Sequence, residues 1–189
     1  MFSRMYCAAL EGINAVIVHA EADVSDGLPV FDMVGLLSSE VREAKERVRV
    51  AIKNSGYILP PKRITVNLSP ADIRKEGTAF DLPVAVSVLV ASGYLKADHT
   101  ENILFVGELS LDGSVNPVNG VLPIVYEAGR QGFQYCMVPF GNYREACAVE
   151  GIMILPVMNL HDAIRYASNP TSFQPSEVEA LLQDTVRNE

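Results

Sequence analysis

Arg74-Lys75-Glu76-Gly77-Thr78-Ala79-Phe80-Asp81-Leu82, followed about 25 residues later by Gly107-Glu108-Leu109-Ser110-Leu111-Asp112-Gly113, are the stretches that decide how this chain folds. The first is a charged run that turns at a glycine and opens into an almost wholly apolar segment, Phe80 to about Ser92. A helix polar on almost no face belongs in the centre of a fold. The second ends in Asp112-Gly113 between apolar runs at 103–109 and 114–115, a strong hairpin signal. Working towards the N-terminus, Ile64, Val66 and Leu68 alternate in a strand that Ser69-Pro70 ends. Before it lies a helix that Ser38 or Ser39 can cap, with Glu40 and Glu43 early and Arg49 and Lys53 late, as the helix dipole favours. Val41, Ala44, Val48, Ala51 and Ile52 form its buried stripe, and Gly56 stops it. Earlier still, the runs from Tyr6 to Leu10 and 15–24 flank the turn Glu11-Gly12-Ile13-Asn14 and read as antiparallel strands, with a third strand at Val30 to Val34. Towards the C-terminus, helix 121–131, strand 135–139, helix 142–149, strand 152–157 and helix 159–167 alternate as two parallel crossover units. The fold class is α+β, or mixed α/β. Residues 1–168 read as one domain and 169–189 as a linker with a short amphipathic helix carrying Val178, Leu181 and Leu182.

These stretches resemble a known family. Val34-Gly35-Leu36, the helix from Glu40 to Arg49, Asn54-Ser55-Gly56, the block from Arg63 to Gly77, Phe80-Asp81-Leu82-Pro83 and Gly107 to Gly113 look like the N-terminal domain of the magnesium-chelatase-like, competence-associated AAA+ ATPases of the ComM type. The likeness runs from about residue 3 to about residue 167. Leu37-Ser38 stands where the family usually has Pro-Asp. The resemblance implies a Lon proteolytic-domain-like fold, as in the second domain of ribosomal small-subunit protein five. Aligned on Gly77, the nucleophilic serine of Lon peptidases falls on Ala79; aligned on Gly107, Gly113, Pro117 and Gly120, their general-base lysine falls on Leu122. A methyl group cannot attack a carbonyl and an isobutyl group cannot accept a proton, so this chain is expected not to be an enzyme. Thr78 and Ser69 are the nearest hydroxyls, and a one-residue shift on a tight turn breaks catalytic geometry. The resemblance further implies a hexameric ring that binds ATP and Mg2+ in a separate AAA+ module, acting as a branch-migration helicase on DNA in natural transformation. No cofactor is expected in this chain itself.

Composition narrows the partners. No apolar run approaches the length of a membrane span, and Met1 to Tyr6 lacks the apolar stretch of a signal peptide, so a cytoplasmic chain without membrane contact is expected. Cys7, Cys136 and Cys147 have no close pairing and are expected as buried free thiols. The net charge is −8, but nine Lys/Arg face four Asp/Glu between residues 40 and 75, leaving +5 there and −13 elsewhere. Arg42, Lys45, Arg49, Lys53, Lys62, Arg63, Arg74 and Lys75 are therefore the candidate functional set. Arg42, Lys45 and Arg49 share one helix face and can follow phosphates without reading bases. The same charges also fit a contact between subunits or domains, or a solvated face balanced by Glu43 and Glu46. A phosphate cradle of the Gly-x-x-x-x-Gly-Lys-Ser/Thr kind is absent from the sequence. His19, His99 and His161 are far apart, and no metal site is expected. Asp72, Glu76 and Asp81 near the Gly77 turn are expected to cap helices and pair with Arg74 and Lys75 rather than hold a cation.

Overall fold

A computed structural model describes residues 1–187, and the side chains of residues 1–182. The long hairpin β1 (Phe2–Glu11) and β2 (Asn14–Ser25) forms in full register, from Phe2 opposite Asp23 to Glu11 opposite Asn14. Met5, Cys7 and Ala9 point to one face and Ala8 to the other, so the strand serves two cores. β3 (Val30–Val34) pairs in parallel with β4 (Arg63–Ser69), which runs antiparallel to β2. Between them lies α1 (Ser39–Asn54), capped by Ser38 Oγ accepting from the Val41 amide at 3.3 Å. Its buried residues are the five of the sequence stripe, Val41, Ala44, Val48, Ala51 and Ile52. Gly56 then takes a φ of +81°, where a side chain would be strained.

α2 (Asp81–Ala91) is buried along its whole length, as its lack of a polar face requires. Ser87 satisfies itself locally, donating to the Val84 carbonyl at 2.8 Å, while its own carbonyl accepts from Ser3 Oγ at 2.6 Å. β5 (Ile103–Phe105), β8 (Tyr135–Pro139) and β9 (Met153–Val157) extend the sheet in parallel from β1, giving the order β3-β4-β2-β1-β5-β8-β9. The crossovers are α3 (Val121–Arg130) and α4 (Tyr143–Ala146). α1, α2 and α5 (Leu160–Ser168) contribute to the larger core, and α3 and α4 to the smaller. The architecture is mixed α/β, the expected class.

Three boundaries differ from the sequence reading. The strand expected over 103–109 breaks after Phe105, and the chain continues into a separate small hairpin of β6 (Glu108–Leu109) and β7 (Val115–Asn116). The break sits where Gly107 packs against α2: a Cβ there would meet Val115 at 2.9 Å and Leu82 at 3.3 Å. The helix expected at 142–149 is regular only over α4, because Ala148 and Val149 close tighter turns onto Glu145 and Ala146. The segment after Asn169 contains the expected amphipathic helix, and it also packs onto the domain. Phe173 and Val178, the latter on α6 (Pro175–Arg187), are buried in the larger core, and Phe173 meets Tyr166 and Tyr143 edge-on.

Candidate nucleic-acid interface

The two quoted stretches meet in space. The Gly107 amide donates to the Ala79 carbonyl at 3.1 Å, the Leu82 amide to the Gly107 carbonyl at 3.0 Å, and the Leu109 amide to Asp81 Oδ2 at 3.1 Å. Asp81 is fully buried and is held by Arg47, whose Nε and Nη2 reach its two carboxylate oxygens at 2.8 and 3.1 Å. This two-pronged pair ties α1 to α2 and β6. Burial pushes the Asp81 carboxyl up from its usual range, while Arg47 and the Leu109 amide oppose that push. The partnership corrects the expectation that Asp81 pairs with Arg74 or Lys75. Spacing along α1 gave no sign of Arg47; the available signal was an acid opening an otherwise apolar helix, which needs a counter-ion.

The eight candidate cations do not form one surface. Lys75 is fully buried: its Nζ donates to the Pro70 carbonyl, and burial holds its pKa below the ordinary lysine value. Its backbone bridges to the chain before α1, donating to Leu36 at 2.9 Å and accepting from Ser38 at 3.0 Å. Lys75 therefore leaves the candidate set, because the short return from Pro70 to Gly77 turns it inward. Arg74 pairs with its neighbour Glu76, Arg63 with Asp32 at 3.3 Å, and Lys62 with Asp26 at 2.9 Å. Arg42, Lys45, Arg49 and Lys53 remain on α1, within about 80° of arc and over about 16 Å of helix. Arg49 is bound to Glu46 at 2.8 Å. Arg42, Lys45 and Lys53 form no ion pair among the described residues, and Arg42 and Lys45 line a recess beside Asp32, Met33 and Val34. Three unengaged cations in line with Arg49, beside the sheet's edge strand, can follow phosphates without reading bases.

At the positions aligned with the Lon dyad, Ala79 is half-buried against the smaller core and Leu122 opens α3 with 42% of its side chain exposed. Cys7 and Cys136 are buried, and burial raises both thiols far above the ordinary range. Cys147 is exposed, contrary to expectation, since it lies just past the short α4. Among the described residues no group of three or more His, Cys, Asp or Glu could hold a metal ion, and no helix is long and apolar enough to cross a membrane.

Residues 20–142, about two thirds of the chain and including both landmark stretches, match the family described as subunit ChlI of magnesium chelatase. The chain belongs to the ChlI family. The chain is also similar to proteins of several kinds. Competence protein ComM of Haemophilus influenzae is 39% identical over 162 residues, covering 86% of this chain and 32% of that protein. YifB of Salmonella typhimurium is 47% identical over 128 residues, 68% of this chain and 25% of its own length. An uncharacterised protein of Mycobacterium tuberculosis H37Rv is 42% identical over 157 residues, 83% of this chain and 31% of that one. This ChlI-family chain thus spans between a quarter and a third of the length of these relatives. A weaker likeness, 24% over 162 residues, extends to Lon protease 2 of Bacillus subtilis and accords with the Lon-like arrangement of sheet and helices.

Proposed function

We propose that this chain is a non-catalytic, Lon-like accessory domain of a ring-forming, magnesium-chelatase-like ATPase, and that it guides DNA through the exposed face of α1. The observation that carries this reading is the row Arg42, Lys45, Arg49 and Lys53, in which three cations have no ion pair among the described residues, on a protein of net charge −8. On such a protein, adhesion to a polyanion has to be local, and this row is where it is supported. One relative is named competence protein ComM, and the whole protein is read as a cytoplasmic branch-migration helicase acting on DNA in natural transformation. Its ATP and Mg2+ would bind in an AAA+ module beyond this domain, in a hexameric ring. Ala79 and Leu122 supply neither a nucleophile nor a base, so the domain acts by position and charge. The test is fluorescence anisotropy with single-stranded and forked DNA at low and moderate salt, comparing the chain with its Arg42→Glu/Lys45→Glu variant. Salt-sensitive binding lost in the folded variant is the expected result. No binding by the unaltered chain at low salt and high protein concentration leaves the domain a purely structural assembly module.

A further inference from the structure

Two hollows lie end to end between α1 and the edge strand β3. One, a groove of about 600 Å3, is lined by Val30 and Phe31 of β3 and by Arg49 and Lys53 of α1. The other, a recess of about 370 Å3, is lined by Met33 and Val34 of β3 and by Arg42 and Lys45 of α1. All four cations of the α1 row thus open onto one trough. Acid is scarce there for a protein of net charge −8: Asp32 is the one acid among the described lining residues, and Arg63 holds it at 3.3 Å. Arg49 is shared with Glu46, and Lys62 on the groove's rim with Asp26, so among the described residues the unpaired charge facing the trough is that of Arg42, Lys45 and Lys53. The rest of the groove is largely apolar. The chain after α1 contributes Tyr57 and Ile58, the latter 79% exposed, and β3 adds Val30, 42% exposed. Tyr57 is fixed in place: its ring meets Tyr94 edge-on at 5.1 Å between centroids, and its hydroxyl lies 3.3 Å from His161 Nδ1.

Unpaired cations along one wall, with exposed apolar and aromatic side chains at one end, suit a polyanion that also offers flat apolar faces. Unpaired nucleotides do so, whereas a duplex turns those faces into its own stack and a polyglutamate has none. We infer that the trough between α1 and β3 is selective for single strands, with phosphates along Arg42, Lys45 and Lys53 and a base seated in the groove against Tyr57 and Ile58. The groove's volume lies within the range of about 300–1,000 Å3 usual for small-ligand sites. Contact of this kind tolerates any base, since every base has such a face, so the trough grips a strand without choosing its sequence. The inference rests on the DNA-guiding reading and deepens it, by naming the strand state that this face accepts.

Fluorescence anisotropy at low salt tests it with four probes: an oligothymidylate, the same phosphodiester chain without bases, a blunt duplex of equal length, and a polyglutamate of equal charge. The oligothymidylate is expected to bind about tenfold more tightly than the abasic chain, and more tightly than the duplex or the polyglutamate. Ile58→Ser alters an exposed side chain and leaves every charge in place, and circular dichroism checks its fold. It is expected to weaken oligothymidylate binding about tenfold and to leave abasic binding unchanged, whereas Arg42→Glu/Lys45→Glu weakens both. Equal binding of the oligothymidylate and the abasic chain overturns the inference and leaves the phosphate contacts of α1 standing. So does an Ile58→Ser variant that keeps the full preference for bases, which places them on another surface. A duplex or a polyglutamate that binds as tightly as the oligothymidylate also overturns it, because the trough then sorts by charge alone. If the unaltered chain binds none of the probes, the DNA-guiding reading falls and the inference with it.

Discussion

Arg47 and Asp81 show how a single buried carboxylate organises this domain. Removing the guanidinium strands Asp81 at zero exposure, and breaking such a pair from one side costs about 3 kcal/mol. Arg47→Ala is expected to lower stability by about that much at pH 7, measured by urea denaturation. Without the arginine, the Leu109 amide is left to oppose burial and the nearby Glu108 charge, both of which favour neutral Asp81, so acidification lets the carboxyl take up a proton and relieves the strain. The loss is therefore expected to be smaller at pH 4 than at pH 7, and an equal loss at both would show that the charge is not what matters. Lys75 supplies the opposite case. Its folded pKa lies below the unfolded value near 10.5, so in the window between them the unfolded chain binds more protons and stability rises with pH. Buried Cys7 and the raised tyrosines Tyr57 and Tyr143 titrate in the other direction at alkaline pH, so the comparison is with Lys75→Met. Wild type is expected to gain stability relative to that variant as pH approaches 10.5, and a parallel response would rule out a titrating Lys75.

Among the elements, α1 was the most legible from sequence. Its cap, its five-residue stripe and its glycine stop are all local signals, and each is present in the structure. The all-apolar α2 and the Asp-Gly hairpin were legible for the same reason. What was not legible depends on contacts far apart in sequence. The break after Phe105 reflects the close approach of Gly107 to α2, and the docking of the tail depends on Phe173 finding Tyr166 and Tyr143. In the candidate site, charge clustering was visible, but whether each cation was free or engaged was not. Lys75 and Arg49 differ through burial and through a neighbouring acid, which composition does not separate. The hairpin also carries a test at its own scale. Gly113 has a φ of +90°, and a Cβ there would lie 2.2 Å from Ser55 Oγ at the end of α1. Gly77 has a φ of +80° with nothing within 4 Å. Both alanine substitutions meet the left-handed backbone penalty, about 1 kcal/mol or more, while only Gly113→Ala adds a clash. Gly113→Ala is accordingly expected to have the lower denaturation midpoint of the two, and equal midpoints would mean that the hairpin does not press on α1.

For the whole molecule, the sheet sets α1 beside one edge, with Arg42, Lys45, Arg49 and Lys53 along one face of that helix. The ChlI family membership ties that placement to longer relatives, in which a domain of this kind accounts for a quarter to a third of the chain. In the proposed function phosphates are held along the exposed face of α1, and the salt dependence of DNA binding reads those contacts. Each phosphate contact on a single strand contributes about 0.7 to the slope of log K against log salt. Replacing Arg42 and Lys45 by neutral Gln is therefore expected to weaken binding and flatten that slope by about 1.4. A variant that binds single-stranded DNA with the affinity and slope of the unaltered chain would place any DNA contact on a surface other than α1.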